Sequence, residues 1–214
     1  MKILISGFDP FGGEAINPAF EAVKLLPRKI GGADISIVEV PTVFRKCAEV
    51  LKAAIDEIKP DAVLCIGQAG GRSVISVEKV AINLQEARIA DNEKNQPIGE
   101  TIKEDGPAAY FATLPVKVMV NKIKEEKIPS SISYTAGTYV CNDIMYHLLY
   151  MIDKEYPNIR GGFIHVPFDT AQVLDKPDGT PSMPVATIAK ALECAVKAIA
   201  THKEDIHEAA GTTH

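Results

Sequence analysis

The chain has 214 residues, 23 Lys+Arg against 28 Asp+Glu, a formal net charge of −5 and 46% hydrophobic residues. At ~100–200 residues per domain this is one domain or at most a tight pair, and it reads as a single domain over 1–214, with the composition of a globular rather than a disordered protein. The mild acidity, with no Lys/Arg cluster, excludes the basic footprint of a nucleic-acid binder, and no run approaches the ~18 apolar residues of a membrane span. The apolar stretch Ile3–Ile5 is too short for a secretory signal and runs into Gly7, Asp9 and Pro10, so a cytoplasmic protein is expected. Cys47, Cys65, Cys141 and Cys194 have no framework spacing and read as free thiols.

β-rich runs alternate with amphipathic helices along the chain. Residues 2–6 (KILIS) predict a buried strand, and Asn17-Pro18 predicts a helix start, with Asn17 as N-cap and Pro18 where its missing N–H costs nothing. The alternation in 34–40 predicts a half-buried strand. Phe44, Ala48, Leu51, Ile55 and Ile58 mark one face of a helix that stops before Pro60. Residues 61–66 (DAVLCI) form a second buried strand, and 73–84 a third, alternating one. The polar stretch 86–107, with Asn92, Asn95, Pro97 and Gly99, is an excursion with room for a hairpin. A helix over 116–127, a short strand over 131–134, a helix from about Cys141 to Lys154, a strand over 162–166 and a helix over 185–201 complete the pattern, and 202–214 is expected to fray. Strands alternating with helices in this way predict a three-layer α/β domain with a mostly parallel sheet.

Chemistry in such sheets collects at the carboxyl ends of the strands. Cys47 and Cys65 sit in apolar surroundings and belong to the core. Cys141 opens a helix after a Gly-containing turn, where free N–H groups and the helix dipole favour a thiolate. His165 ends a buried strand. Glu78 interrupts an apolar run, either as an inward carboxylate that needs a partner or on the solvated face of an edge strand. A thiol, an imidazole and a carboxylate form the generalised nucleophile–base–orienter set, although spacing alone does not bring them together.

The segments GFDPFGG (7–13), GQAGGRSVISVEKVAIN (67–83), SYTAGTYVCN (133–142) and FIHVP (163–167) closely resemble type I pyroglutamyl peptidases (pyrrolidone-carboxylate peptidases) over nearly the whole chain. The resemblance implies a cysteine exopeptidase that removes an N-terminal 5-oxoprolyl residue from peptides through a thioester, with Glu78, Cys141 and His165 as its triad. It also implies a three-layer α/β/α sandwich around a mostly parallel, mixed sheet of phosphorylase/hydrolase-like architecture, no cofactor, no metal and a homotetramer. Substrate positions carried over by the resemblance are Phe8, Phe11, Asn17, Gln68, Tyr139 and Val140, with Arg88 near the reacting carbonyl. Phe8 and Phe11 also suit the uncharged lactam as aromatic surface, while Asn17 is accounted for by its helix cap alone. Tyr139 stands where the family often has Phe, and Ala90 where Pro often follows Arg-Ile.

Two other readings fit the pattern less well. A ligand-binding domain using the Gly-rich loops 7–13 and 67–71 lacks either phosphate-loop signature. A phosphorylase-type transferase shares the architecture, and fold does not decide function. In the last helix, Thr187, Ala191, Cys194 and Ala198 form a stripe of small residues apart from the main apolar stripe, which reads either as a subunit contact or as the exposed face of an alanine-rich helix.

Overall fold

The computed structural model describes residues 1–211. Its strands are β1 (Lys2–Phe8), β2 (Lys29–Ile30), β3 (Ala33–Val40), β4 (Ala62–Gln68), β5 (Ile75–Glu78), β6 (Val80–Ile82), β7 (Ala109–Phe111), β8 (Ser130–Ser133) and β9 (Arg160–Val166). Its helices are α1 (Pro18–Lys24), α2 (Lys46–Ile58), α3 (Val116–Glu125), α4 (Val140–Lys154) and α5 (Val185–Thr201), with a 3-10 turn at Thr170–Val173. Seven strands form one sheet in the order β2-β3-β1-β4-β9-β5-β8. The pairs β3-β1, β1-β4, β4-β9 and β5-β8 are parallel, while β5 runs antiparallel to β9 and β2 to β3.

The strands at the centre are buried on both faces, which is why β1 and β4 read as nearly unbroken apolar runs. Phe20 of α1 lies against Gly7, whose register partner is Ile66, and the Cys141 sulfur of α4 lies against Gly67. Neighbouring residues of a strand face opposite ways, so α1 and α4 cover opposite faces of the sheet. On the α1 side α5 packs between α1 and α3, and on the other side α2 packs beside α4. The result is the expected α/β/α sandwich with a mostly parallel, mixed sheet.

The strand expected over 73–84 is two strands. The Lys79 N–H bonds to the Ser133 carbonyl at the end of the main sheet, while its own carbonyl accepts from the Ala112 N–H and opens the β6-β7 ladder. One residue thus passes the chain from one sheet to another, without a Gly or Pro to mark the change. The stretch 86–107 carries no hairpin. It is held by the Gln85–Glu100 bridge and by buried Asp91, whose carboxylate accepts the N–H groups of Phe44, Glu93 and Asn95.

Two further expectations are corrected. Residues 202–208 are docked rather than frayed. The Asp205 carboxylate accepts the N–H groups of Lys117 and Val118, capping α3 where its own N-cap, Pro115, offers no side-chain acceptor. Arg160 donates to the carbonyls of Ile199, His202 and Lys203. The remainder of that expectation, residues 212–214, lies outside the described residues. The small-residue stripe of α5 is not an outer face, because Ala191, Cys194 and Ala198 are buried within the subunit and only Thr187 is part-exposed. Cys194 and Ala198 share a groove with Lys122, Glu125 and Glu126 at α3, so the close approach that small residues permit is to the chain's own neighbouring helix. No helix among the described residues is long and apolar enough to cross a membrane.

Candidate active site

Three strands set the site through their register. Gly67 of β4 pairs with His165 of β9, Ser76 of β5 pairs with the same His165, and Glu78 pairs with Phe163. Paired residues face the same way and alternation repeats every second residue, so Gly67, Glu78, Phe163 and His165 all point to the α4 side. The carboxylate and the imidazole meet there, with His165 Nδ1 2.7 Å from Glu78 Oε1. Cys141, the second residue of α4, comes down onto the same surface. Its sulfur lies so close to the β4 backbone that a Cβ on Gly67 would stand 2.7 Å from Sγ and 2.7 Å from the Phe163 ring. Glycine at 67 is therefore a steric requirement for placing the thiol.

Glu78 is fully buried on a strand between β9 and β8, not on an edge. Its Oε1 accepts from His165 and from Arg72 Nη1, the latter also at 2.7 Å, while Oε2 has no partner among the described residues. Burial works to raise the Glu78 pKa, but the hydrogen bond and charge of His165, with Ser133 and Arg72, hold it below the ordinary carboxylate value. An ionised carboxylate only accepts hydrogen bonds, so the proton of a neutral His165 ring sits on Nδ1 and leaves the Nε2 lone pair free. Burial depresses the His165 pKa, with Glu78 opposing and Arg72 assisting. Cys141 departs from expectation. Burial, then the Glu78 charge, push its thiol up to about 12 against a smaller downward pull from Arg72, the opposite direction from that expected at a helix start.

The start of α4 is open to a ligand. No side chain caps it, and the first backbone bond runs from Asp143 N–H to the Tyr139 carbonyl. The amides of Val140, Cys141 and Asn142 precede that bond and have no intrahelical acceptor. Side chains next to the thiol fasten the neighbouring loop. Asn142 accepts from Ile82 N–H and donates to the carbonyls of Ile82 and Leu84, and Asp143 accepts from Gln85 Nε2 and Arg45 N–H. Glu86 N–H donates to the Thr138 carbonyl, Thr138 Oγ1 donates back to the Glu86 carbonyl, and Tyr139 OH donates to the Ala90 carbonyl. Arg88 lies between these last two ties. Its side chain is exposed and makes no hydrogen bond or ion pair among the described residues.

The remaining expected binding residues divide. Phe11 is part-exposed, 6.2 Å from the Tyr139 ring, and Tyr139 meets Phe44 edge-on at 5.3 Å, which gives an aromatic wall. Phe8 and Val140 are buried in the core. Asn17 is occupied at both ends, Oδ1 capping α1 through Ala19 N–H and Nδ2 donating to the Asp9 carbonyl, so it shapes the first loop. Gln68 is nearly buried at the end of β4 and accepts from Gln172 Nε2.

Sequence and structure comparisons agree. Residues 1–202 match the family model described as pyroglutamyl peptidase. The chain belongs to the pyroglutamyl peptidase family. It is 56% identical over 211 residues to a pyrrolidone-carboxylate peptidase of Clostridium perfringens, covering 99% of each chain, and 57% identical over the whole of both chains to one from Finegoldia magna. Among solved structures it resembles pyroglutamyl peptidase I from Bacillus amyloliquefaciens, with a TM-score of 0.94 at 50% identity, covering 97% of this chain and 99% of that one. The pyrrolidone carboxyl peptidase of Thermococcus litoralis gives 0.88 at 44%, covering 92% of each.

Three residues of this candidate site have no role that the sequence alone assigns. Arg72 appeared only as a motif letter, although a lone cation six residues before an isolated buried carboxylate is the partner such a carboxylate needs. Phe44 reads as the first apolar position of a helix, whereas α2 begins only at Lys46 and leaves the Phe44 ring to Tyr139, and Gln172 gives no signal, because its contact with Gln68 spans 104 residues.

Proposed function

We propose that the protein is a cysteine exopeptidase that removes an N-terminal pyroglutamyl residue from peptides through a thioester, with Cys141 as nucleophile, His165 as base and Glu78 as the group that orients His165. The observation that carries this reading is the 2.7 Å contact between His165 and Glu78 on the surface where the Cys141 sulfur lies over Gly67.

With a resting thiol, the reaction begins by proton transfer from Sγ to His165 Nε2 as sulfur attacks the pyroglutamyl carbonyl. Glu78, 2.7 Å from Nδ1, stabilises the imidazolium that forms. Charge developing on the carbonyl oxygen meets the uncapped amides at the start of α4, with the unpaired Arg88 guanidinium as a second source of stabilisation. His165 then gives its proton to the leaving amine, and water, activated by the same ring, hydrolyses the thioester and frees Sγ. Phe11 and Tyr139 offer apolar faces to the lactam ring. On the strength of the family resemblance, we place the enzyme in the cytoplasm as a homo-oligomer, a tetramer, acting without metal or cofactor.

Release of aminocoumarin from its pyroglutamyl derivative tests the reading. Cleavage by the wild-type chain, none of the alanyl derivative, and loss in a folded Cys141→Ala variant are expected. A folded, reduced wild-type protein that leaves the pyroglutamyl derivative intact would overturn it.

A further inference from the structure

Arg72 is the one fixed cation in direct contact with Glu78 among the described residues. Its Nη1 shares Glu78 Oε1 with His165 Nδ1, and its Nη2 donates to the Thr135 carbonyl at 3.1 Å. The planar fork therefore spans from the buried carboxylate to the main chain that leaves β8, a reach a lysine ammonium would not duplicate. The loop before it is built for this return. Gly71 adopts φ +88°, and a Cβ on Gly70 would stand 2.3 Å from the Phe168 ring, so the tight turn after β4 tolerates no side chain at its tip.

We propose that Arg72 is a positioning residue of the reaction: it clamps Glu78 in its ionised form, so that His165 keeps its proton on Nδ1 and presents Nε2 to the thiol. The groups facing Glu78 are His165 from β9, Ser133 from β8, Cys141 from α4 and Arg72 itself. Arg72 and Glu78 cancel in charge, so the buried cluster is neutral before reaction and stays neutral overall when a proton passes from Sγ to His165. Loss of the guanidinium charge raises the proton affinity of Glu78, His165 and Cys141 together, because a nearby positive charge disfavours protonation of each.

The kinetic part of this inference rests on the peptidase reading; the thiol part does not. In Arg72→Gln, kcat on pyroglutamyl-aminocoumarin is expected to fall about 10- to 100-fold with KM changed only a few-fold. The acid limb of kcat/KM should move to higher pH. Arg72→Lys, which keeps the charge, should hold the limb near its wild-type position and recover part of kcat. The pH profile of Cys141 alkylation by iodoacetamide, corrected with Cys141→Ala for the other thiols, should also move to higher pH in Arg72→Gln. That second measurement uses no peptide, so it judges Arg72 even where the wild-type protein cleaves no pyroglutamyl derivative. Wild-type kcat and an unmoved alkylation profile in Arg72→Gln would overturn the proposal. So would a loss of kcat with both profiles unmoved and no recovery in Arg72→Lys, the signature of a merely structural arginine.

Discussion

The two sides of the site are built by different means. On the sheet side, Glu78 and His165 are held by strand register and almost completely shielded from solvent, and short charge-assisted hydrogen bonds join them to Arg72 at the end of the turn after β4. On the loop side, Phe11 and Tyr139 are part-exposed and Arg88 is exposed, and the Arg88 and Tyr139 segments are tied together by hydrogen bonds between Glu86 and Thr138 and from Tyr139 OH to the Ala90 carbonyl. Groups that move protons need fixed distances and a low dielectric, which packed strands supply; groups that touch a substrate need access, which only loops on a rigid frame allow. Substitutions on the sheet side should accordingly act on kcat, and those on the loop side should divide between kcat and KM.

The largest effect belongs to the thiol. Cys141→Ala should lower kcat by about 10⁴-fold or more without unfolding the chain, as single-turnover kinetics and a melting curve would show. Under the proposed mechanism, Glu78→Gln would remove the charge that steadies the imidazolium and let the ring adopt the wrong tautomer. A fall in kcat of about 10³–10⁴-fold, at a KM within a few-fold of wild type, is expected from steady-state assays. Arg88→Gln tests whether the loop side also stabilises the reacting carbonyl. A loss of about 10²-fold in kcat would place it at the oxyanion, whereas a change confined to KM would leave the α4 amides to act alone.

Asn142→Ala separates scaffold from chemistry, because it strands backbone groups of Ile82 and Leu84. Chemical denaturation should show a loss of about 1–3 kcal/mol. The smallest effect is the pH dependence of stability. Glu78 and His165 are both held below their ordinary values of 4.5 and 6.5, so the unfolded chain binds more protons than the folded one as pH falls. Stability contributed by these two groups should be complete above about pH 6.5 and decline on acidification through 4.5 and below; melting temperatures across that range, compared with those of Glu78→Gln, would check it.

Much of this could be read in the sequence, for physical reasons that also explain the gaps. The Asn17-Pro18 cap and the spacing of apolar residues in α5 are local signals, and both helices occupy the expected residues. The three central site residues lie in long distinctive segments. Burial depends on what packs over a residue, and the segment carrying Cys141 marks a thiol at a helix start without showing the burial that raises its pKa. Lys79 divides two sheets by its partners alone, and Ala191, Cys194 and Ala198 looked like an outer face only because α3, distant in sequence, could not be placed beside them. Arg72 could have been paired with Glu78 from the cost of an isolated buried carboxylate, but the turn at Gly70-Gly71 that brings it back had to be seen.

The most direct test of the central claim is to mix the enzyme with a pyroglutamyl ester, quench in acid within the first turnovers and map the modified peptide by mass spectrometry. The account predicts one pyroglutamyl group, attached as a thioester at Cys141 and accumulating to a greater extent when deacylation is slowed. An active enzyme that shows no acyl group on Cys141, or carries it on another residue, would contradict it.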